Sequence, residues 1–171
     1  LITSRGCPFN CNFCVTPTIW QRKWRGRSAN NIVDEIEERV KGLGVKDFHI
    51  HDDLFTLKKG RVIDMCKEIV SRKLDITWKI VAGTKVESID DEMLGWMKKS
   101  GCTYISISPE SGSEDVLKLM NKPYDFRKGL DIIKKCHRLG IKTQACFVLG
   151  YPGETKDDLR KSMSYMRELA K

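Results

Sequence analysis

Apolar positions along the chain follow two rhythms that take turns. Helical spacing first appears at Ile32, Val33, Ile36, Val40 and Leu43, with Ser28 ahead as an N-cap and Gly44 closing the run. Residues 48–51, Phe-His-Ile-His, alternate as a strand does and lead into Asp52, Asp53, Leu54 and Phe55. A second helical face carries Val62, Ile63, Cys66, Ile69 and Val70; residues 76–81 then read as a strand that Gly83 is expected to break. The third helix is the best punctuated. Asp90, Asp91 and Glu92 suit its positive N-terminal end, and Met93, Leu94 and Met97 form its stripe. Lys98 and Lys99 suit its far end, with Gly101 free to turn left-handed beyond it.

The alternation continues to the end of the chain. Residues 103–108 read as a strand, followed by a polar turn and a short helix with Val116, Leu117 and Met120. Phe126, Leu130 and Ile133 mark another helix closed by Gly140. Residues 141–149 form a further strand, and Thr155 caps a last helix bearing Leu159, Met163 and Met166. With a short apolar run at residues 1–3, this makes five strands, each followed by helix. Such alternation predicts an α/β fold of parallel strands with right-handed crossovers. Parallel strands covered on both faces should be almost wholly apolar. Two are not: His49 and His51 oppose Phe48 and Ile50, and Ser106 and Ser108 oppose Ile105 and Ile107. One polar face favours a barrel-like sheet with a wet interior, whose site lies at the C-terminal strand ends.

Chemistry concentrates in those C-terminal loops. Cys7, Cys11 and Cys14 are spaced C-x3-C-x2-C directly after the first apolar run, and the next cysteine, Cys66, lies in a helical pattern. Thiolates are the usual protein ligands of iron–sulfur clusters, and a cubane has four irons to hold. Three local ligands leave one iron open. A zinc site is the alternative, but structural zinc wants four closed ligands, usually in two pairs, and no second pair exists. Cys66, Cys102, Cys136 and Cys146 fall in helix or strand patterns and are expected in the core.

The composition changes the picture little. The chain has 171 residues, seven cysteines and a formal charge of +8. An odd cysteine count, with no signal peptide or transmembrane run, argues against a secreted disulfide framework and for a reducing cytoplasm. The excess of Lys and Arg admits a nucleic-acid partner. The cations are nonetheless spread over many helices and cluster only at residues 22–27 and 58–61, so a solvated surface is favoured. The chain begins without Met inside an apparent strand and stops inside a helical pattern at Lys171, as a fragment would.

The cysteine motif, with Phe13 directly before its third cysteine, resembles that of the radical S-adenosylmethionine (SAM) superfamily. The resemblance extends over the whole chain. It implies a partial TIM-like (β/α)6 barrel, of which about five βα units are visible in residues 1–171. A sixth strand would then follow Lys171. The segments at residues 5–14, 24–28, 52–55, 110–113 and 150–154 are similar to the cobalamin-binding (B12-type) branch. That branch commonly carries a cobalamin domain upstream of the barrel.

The resemblance implies that Cys7, Cys11 and Cys14 hold a [4Fe–4S] cluster whose open iron chelates SAM. Reductive cleavage of SAM then yields a 5′-deoxyadenosyl radical that abstracts hydrogen from a substrate. It further implies SAM contacts from Phe13, Asp52, Asp53, Ser108, Glu110, Gly150 and Gly153. At the second strand the family's usual motif is Gly-Gly-Glu, so Asp52-Asp53 departs from it. The implied reactions are methylation, rearrangement or cyclisation of a small molecule or peptide. Flavodoxin or ferredoxin would supply electrons, and no membrane is involved. A transfer-RNA methylthiotransferase and a non-catalytic iron–sulfur or zinc module are the competing readings.

Overall fold

A computed structural model describes all residues 1–171. Four parallel strands form the sheet in the order β3 (Asp47–Ile50), β4 (Thr77–Thr84), β5 (Cys102–Glu110) and β6 (Lys142–Phe147). The connections are helical: α3 (Lys59–Ser71), α4 (Asp91–Lys99), then α5 (Glu114–Leu119) with α6 (Phe126–Arg138). α2 (Ala29–Leu43) precedes the sheet and α7 (Lys156–Leu169) follows it. Strand order follows chain order without a reversal, as it does in a barrel rather than in a doubly wound sheet.

The predicted first strand is present but is a bare segment. The Leu1 nitrogen donates to the His49 carbonyl at 2.6 Å and the His51 nitrogen to the Leu1 carbonyl at 3.0 Å, a single parallel rung beside β3. The chain then turns away as β1 (Ser4–Arg5), which pairs antiparallel with β2 (Arg25–Gly26). Neither that ribbon nor α1 (Thr16–Trp20) between its strands has an apolar period to announce it.

The punctuation holds at the helix ends. Ser28, Asp90 and Thr155 cap α2, α4 and α7 through their side chains, and Gly44, Gly101 and Gly140 have positive φ. Gly83 does not break its strand. β4 runs on to Thr84, because the Ser108 hydroxyl on the next strand occupies the place of a β-carbon at Gly83, only 1.8 Å from it. Glycine here permits close strand packing rather than a turn.

The outer face of the sheet forms the core. Phe48, Ile50, Trp78, Ile80, Ile105 and Ile107 are buried against Ile32, Ile36, Met65, Met93 and Ile132 of the helices. Each such side chain contributes roughly 2 kcal/mol by leaving water. The stripes overreach at their edges, since Leu43, Val70 and Met163 are exposed; Tyr165 is the buried anchor of α7 instead. His49 and His51 lie exposed on the opposite, concave face, with Lys79, Tyr104 and Gln144 near them. Cys146 belongs to that face too. Half-buried and 3.6 Å from the Ser106 hydroxyl, it is not a core residue as predicted, whereas Cys66, Cys102 and Cys136 are.

Candidate active site

The cysteine loop leaves β1 at Gly6 and is fastened from three sides. Asp52, at the end of β3 and 2 % exposed, accepts from the Thr3 nitrogen at 2.6 Å, the Thr3 hydroxyl at 2.5 Å and the Ser4 hydroxyl at 2.6 Å. Arg61 lies 3.8 Å from the same carboxylate and donates to the Thr3 hydroxyl at 3.0 Å. Asp53 accepts from the Gly6 nitrogen at 2.7 Å. Both acids thus point back at the start of the loop. Three donors converge on the Asp52 carboxylate, so its hydrogen bonds hold the start of the loop.

The second fastening is the β1–β2 ribbon. Trp24 donates to the Leu54 carbonyl and lies under the Arg61 guanidinium, while Arg27 donates to the Ile2 carbonyl and pairs with Glu35. The third is the turn after α5. The Asn12 nitrogen donates to the Met120 carbonyl, the Asn12 amide to the Leu119 carbonyl, and the Asn121 amide to the Asn10 carbonyl. These contacts span more than a hundred residues of sequence and set the loop over the C-terminal ends of the strands.

On this support Cys7 and Cys11 are half-buried and Cys14 is exposed. Burial pushes the Cys7 thiol above its ordinary pKa, a backbone hydrogen bond at Phe9 opposes this, and the neighbouring Cys11, Cys14 and Asp53 add to the rise. Burial also raises Cys11, against the pull of Lys122 and Lys85. Cys7 and Cys11 are thus partly withdrawn from water, with the Lys122 and Lys85 ammonium groups acting on Cys11. No three His, Cys, Asp or Glu side chains converge on a point that could hold a single metal ion. A cubane cluster presents separate iron corners, so three spread thiolates from one loop suit it chemically.

Glu110 ends β5 with φ of 65°, a left-handed conformation uncommon outside glycine. The residue is 8 % exposed; its carboxylate meets the Lys122 ammonium at 2.5 Å, and Lys122 also donates to the Ser108 carbonyl at 2.8 Å. The same ammonium lies 5.9 Å from the centre of the Phe13 ring, which stands near-perpendicular to the Tyr151 ring with their centres 6.4 Å apart. Phe13, Ser108 and Glu110 thus gather around Lys122, and Tyr151 of the Gly150–Gly153 turn meets Phe13. Gly150 (φ 77°) and Gly153 (φ 89°) take left-handed turns, and Gly150 has open space where a side chain would be. The residues after Glu110 serve a different end. The Ser113 hydroxyl donates to Asp158 at 2.5 Å and the Gly112 nitrogen to the Ser162 hydroxyl at 2.9 Å, docking α7 onto the loop.

Lys122 has no forewarning in the sequence, and Lys85 is foreshadowed only as the position where the resembling family often carries Arg. Lys122 stands in a polar turn without period, one of 31 Lys and Arg residues. Lys85 places its ammonium 4.6 Å from the centre of the Phe9 ring.

A three-cysteine loop over a parallel half-barrel has a counterpart among known families, and the Radical SAM superfamily model matches residues 1–166. The chain belongs to the radical SAM superfamily. It is 31 % identical over 169 residues to an uncharacterized methyltransferase of Pyrococcus horikoshii, covering 99 % of this chain and 36 % of that protein. With the anaerobic magnesium-protoporphyrin IX monomethyl ester cyclase of Rubrivivax gelatinosus it shares 32 % identity over 167 residues, 96 % of this chain and 30 % of the relative. The radical SAM chain thus spans about a third of the length of these curated relatives. Among solved structures, the radical SAM methyltransferase TsrM of Kitasatospora setae, with cobalamin and a [4Fe–4S] cluster bound, superposes with a TM-score of 0.89. That match is 22 % identical and covers 99 % of this chain and 34 % of TsrM. This last likeness carries the fold. No helix is long and apolar enough to cross a membrane.

Proposed function

We propose that the chain is the catalytic core of a radical SAM enzyme that methylates or cyclises a small organic substrate. The observation that carries this is the three-thiol loop without a fourth protein donor, held over the strand ends of a superfamily member. Cys7, Cys11 and Cys14 would hold three irons of a [4Fe–4S] cluster and leave the fourth to the amino and carboxylate groups of SAM. When bound, cluster and SAM supply the electron and the breakable carbon–sulfur bond that generate the radical.

The chain's own residues would bind, orient and exclude water. Asp52, Asp53 and Arg61 fix the loop. Phe13 and Tyr151 offer ring edges, and the backbone at Gly150 and Gly153 is open to a flat group. Glu110 and Lys122 set fixed charges beside the place of a cationic sulfonium and an anionic carboxylate. The polar concave face of His49, His51, Lys79, Tyr104 and Gln144 would take the substrate, a small molecule or a peptide. The relatives' names support methyl transfer and ring closure as the reactions. The similarity to the B12-type branch supports a cobalamin domain upstream of residue 1 in the same protein. Seven free thiols suit a reducing cytoplasm, where a flavodoxin or ferredoxin is at hand.

The test is anaerobic reconstitution with iron and sulfide. About four irons per chain and SAM-derived 5′-deoxyadenosine after reduction are expected. Iron that stays near one per chain, or SAM left intact with every substrate class tried, would overturn the reading.

A further inference from the structure

Phe9 and Phe13 stand one in each of the two spans between the cysteines, and each meets an ammonium group. Lys122 lies 5.9 Å from the centre of the Phe13 ring, and Lys85 lies 4.6 Å from the centre of the Phe9 ring. The two lysines are held differently. Lys122 is bonded to the Glu110 carboxylate at 2.5 Å, so an anion matches its charge. Lys85 follows β4 directly, with 13 % of its side chain exposed, and its ammonium donates to a neutral group, the Pro123 carbonyl at 3.3 Å. The nearest carboxylate, Glu87, stands 3.9 Å away, beyond hydrogen-bond reach. The other oxygen of Glu87 accepts from the Asp125 nitrogen. An almost buried cation without a bonded anion is costly, and a single aromatic face offsets only part of that.

The support of the cysteine loop also fixes the place of this charge. Pro123 belongs to the turn after α5, whose Asn121 amide donates to the Asn10 carbonyl beside Phe9. One turn therefore seats both the Lys85 ammonium and the span between Cys7 and Cys11. The field reaches a ligand, since both ammonium groups act on the Cys11 thiol. Three thiolates leave a [4Fe–4S] core with net negative charge, and reduction adds one further negative unit. Net charge and the surroundings of the ligand shell are among the quantities that set the potential of such a centre.

We infer that Lys85, seated on Phe9, raises the reduction potential of the cluster by stabilising its more negative, reduced state. The inference rests on the cluster assignment above. Lys85 is a positioning residue in this role and not a ligand. In the step, one electron from a low-potential one-electron reductant enters the oxidised cluster; no bond forms or breaks, and the ammonium keeps its proton. A unit charge beside the ligand shell of a partly buried site is worth about 10-fold in the reduction equilibrium. Lys122 contributes less, because the Glu110 carboxylate bonded to it carries the opposite sign.

The experiment is a redox titration of the reconstituted chain in the absence of SAM, with titanium(III) citrate and mediators, read by electron paramagnetic resonance. Lys85→Met keeps the apolar stem and removes the charge. Its midpoint should fall by about 59 mV, which is a 10-fold change in a one-electron equilibrium. Lys85→Arg keeps the charge and should stay within about 2-fold of wild type. Glu87→Gln removes the opposing charge and should shift the equilibrium the other way, toward reduction, by about 3-fold. That effect is smaller because the Glu87 side chain is one-third exposed. Opposite shifts from these two neutralisations follow from charge, whereas a loosened loop has no reason to produce them. A Lys85→Met protein that holds iron and keeps the wild-type midpoint within about 2-fold would overturn the inference and leave the cluster reading standing. If that protein also needs more SAM to shift its resonance signal, Lys85 meets the cofactor's carboxylate instead. Should Lys85→Met fail to hold iron, Glu87→Gln decides: a midpoint above wild type supports the inference, and one at or below it overturns it. A wild type without any cluster signal would sink the cluster reading itself.

Discussion

Removing the Lys122 ammonium tests whether the site is held by its buried ion pair. In Lys122→Met the buried Glu110 carboxylate loses a partner at 2.5 Å, and the Ser108 carbonyl loses a donor at 2.8 Å. Breaking a buried pair by deleting one member costs about 3–5 kcal/mol, because the other charge stays behind without compensation. Here both side chains keep roughly a tenth of their surface in water, 8 % for Lys122 and 11 % for Glu110, which favours the lower end. A loss of about 3 kcal/mol lowers the melting temperature of a domain this size by roughly 6–12 °C. Glu110→Gln keeps an acceptor for Lys122 and should cost about 1 kcal/mol. The double variant should lose at least about 1 kcal/mol less than the sum, since it leaves no orphaned charge. Anaerobic urea unfolding followed by circular dichroism measures all three. A Lys122→Met protein within about 0.5 kcal/mol of wild type, or strict additivity, would refute the reasoning.

Three further outcomes follow from the geometry. Asp52→Asn keeps the shape but turns an acceptor-only group into one with two donors, facing the Thr3 and Ser4 hydroxyls and the Thr3 nitrogen. It should cost about 2–3 kcal/mol in thermal unfolding and lower the iron bound on reconstitution. Gly112→Ala would drive a β-carbon to 2.6 Å from the Ser162 α-carbon and should cost about 2–3 kcal/mol, whereas Gly95→Ala in α4 meets nothing within 4 Å and should gain about 0.5 kcal/mol. The Asp158 carboxyl is held well below its ordinary pKa by the Ser113 hydroxyl, then by the Thr155 hydroxyl and nitrogen. Its contribution is present above the unfolded value near pH 4 and is lost as pH falls below that. The urea midpoint of wild type should therefore drop more steeply below about pH 4 than that of Asp158→Asn; parallel acid limbs would contradict this.

The sheet and most helix ends were legible because period and punctuation are local properties. Ser28, Asp90, Thr155, Gly44 and Gly101 each act on residues within one turn of themselves. Gly83 misled, since its close approach to Ser108 comes from a neighbouring strand, and no local rule reports that. Cys146 misled in a related way. Its strand is apolar enough to look buried, but β6 is the last strand of the sheet and its concave face stays open. The cysteine spacing marked the site from the start. The groups that hold it could not be read, because Asn10–Asn121 and Asn12–Leu119 meet across more than a hundred residues. Asp52 shows both sides: its place at a strand end marked it, whereas its hydrogen bonds to Thr3 and Ser4 could not be read.

The central claim is that three cysteines hold a cluster with one iron left open. Electron paramagnetic resonance of the reconstituted, reduced protein tests it most directly, recorded with and without SAM and repeated for Cys7→Ser, Cys11→Ser and Cys14→Ser. A [4Fe–4S] signal whose g-values move on adding SAM, and which each serine variant loses, is the predicted result. A signal that SAM leaves unchanged, or one that survives loss of any of the three thiols, would contradict it.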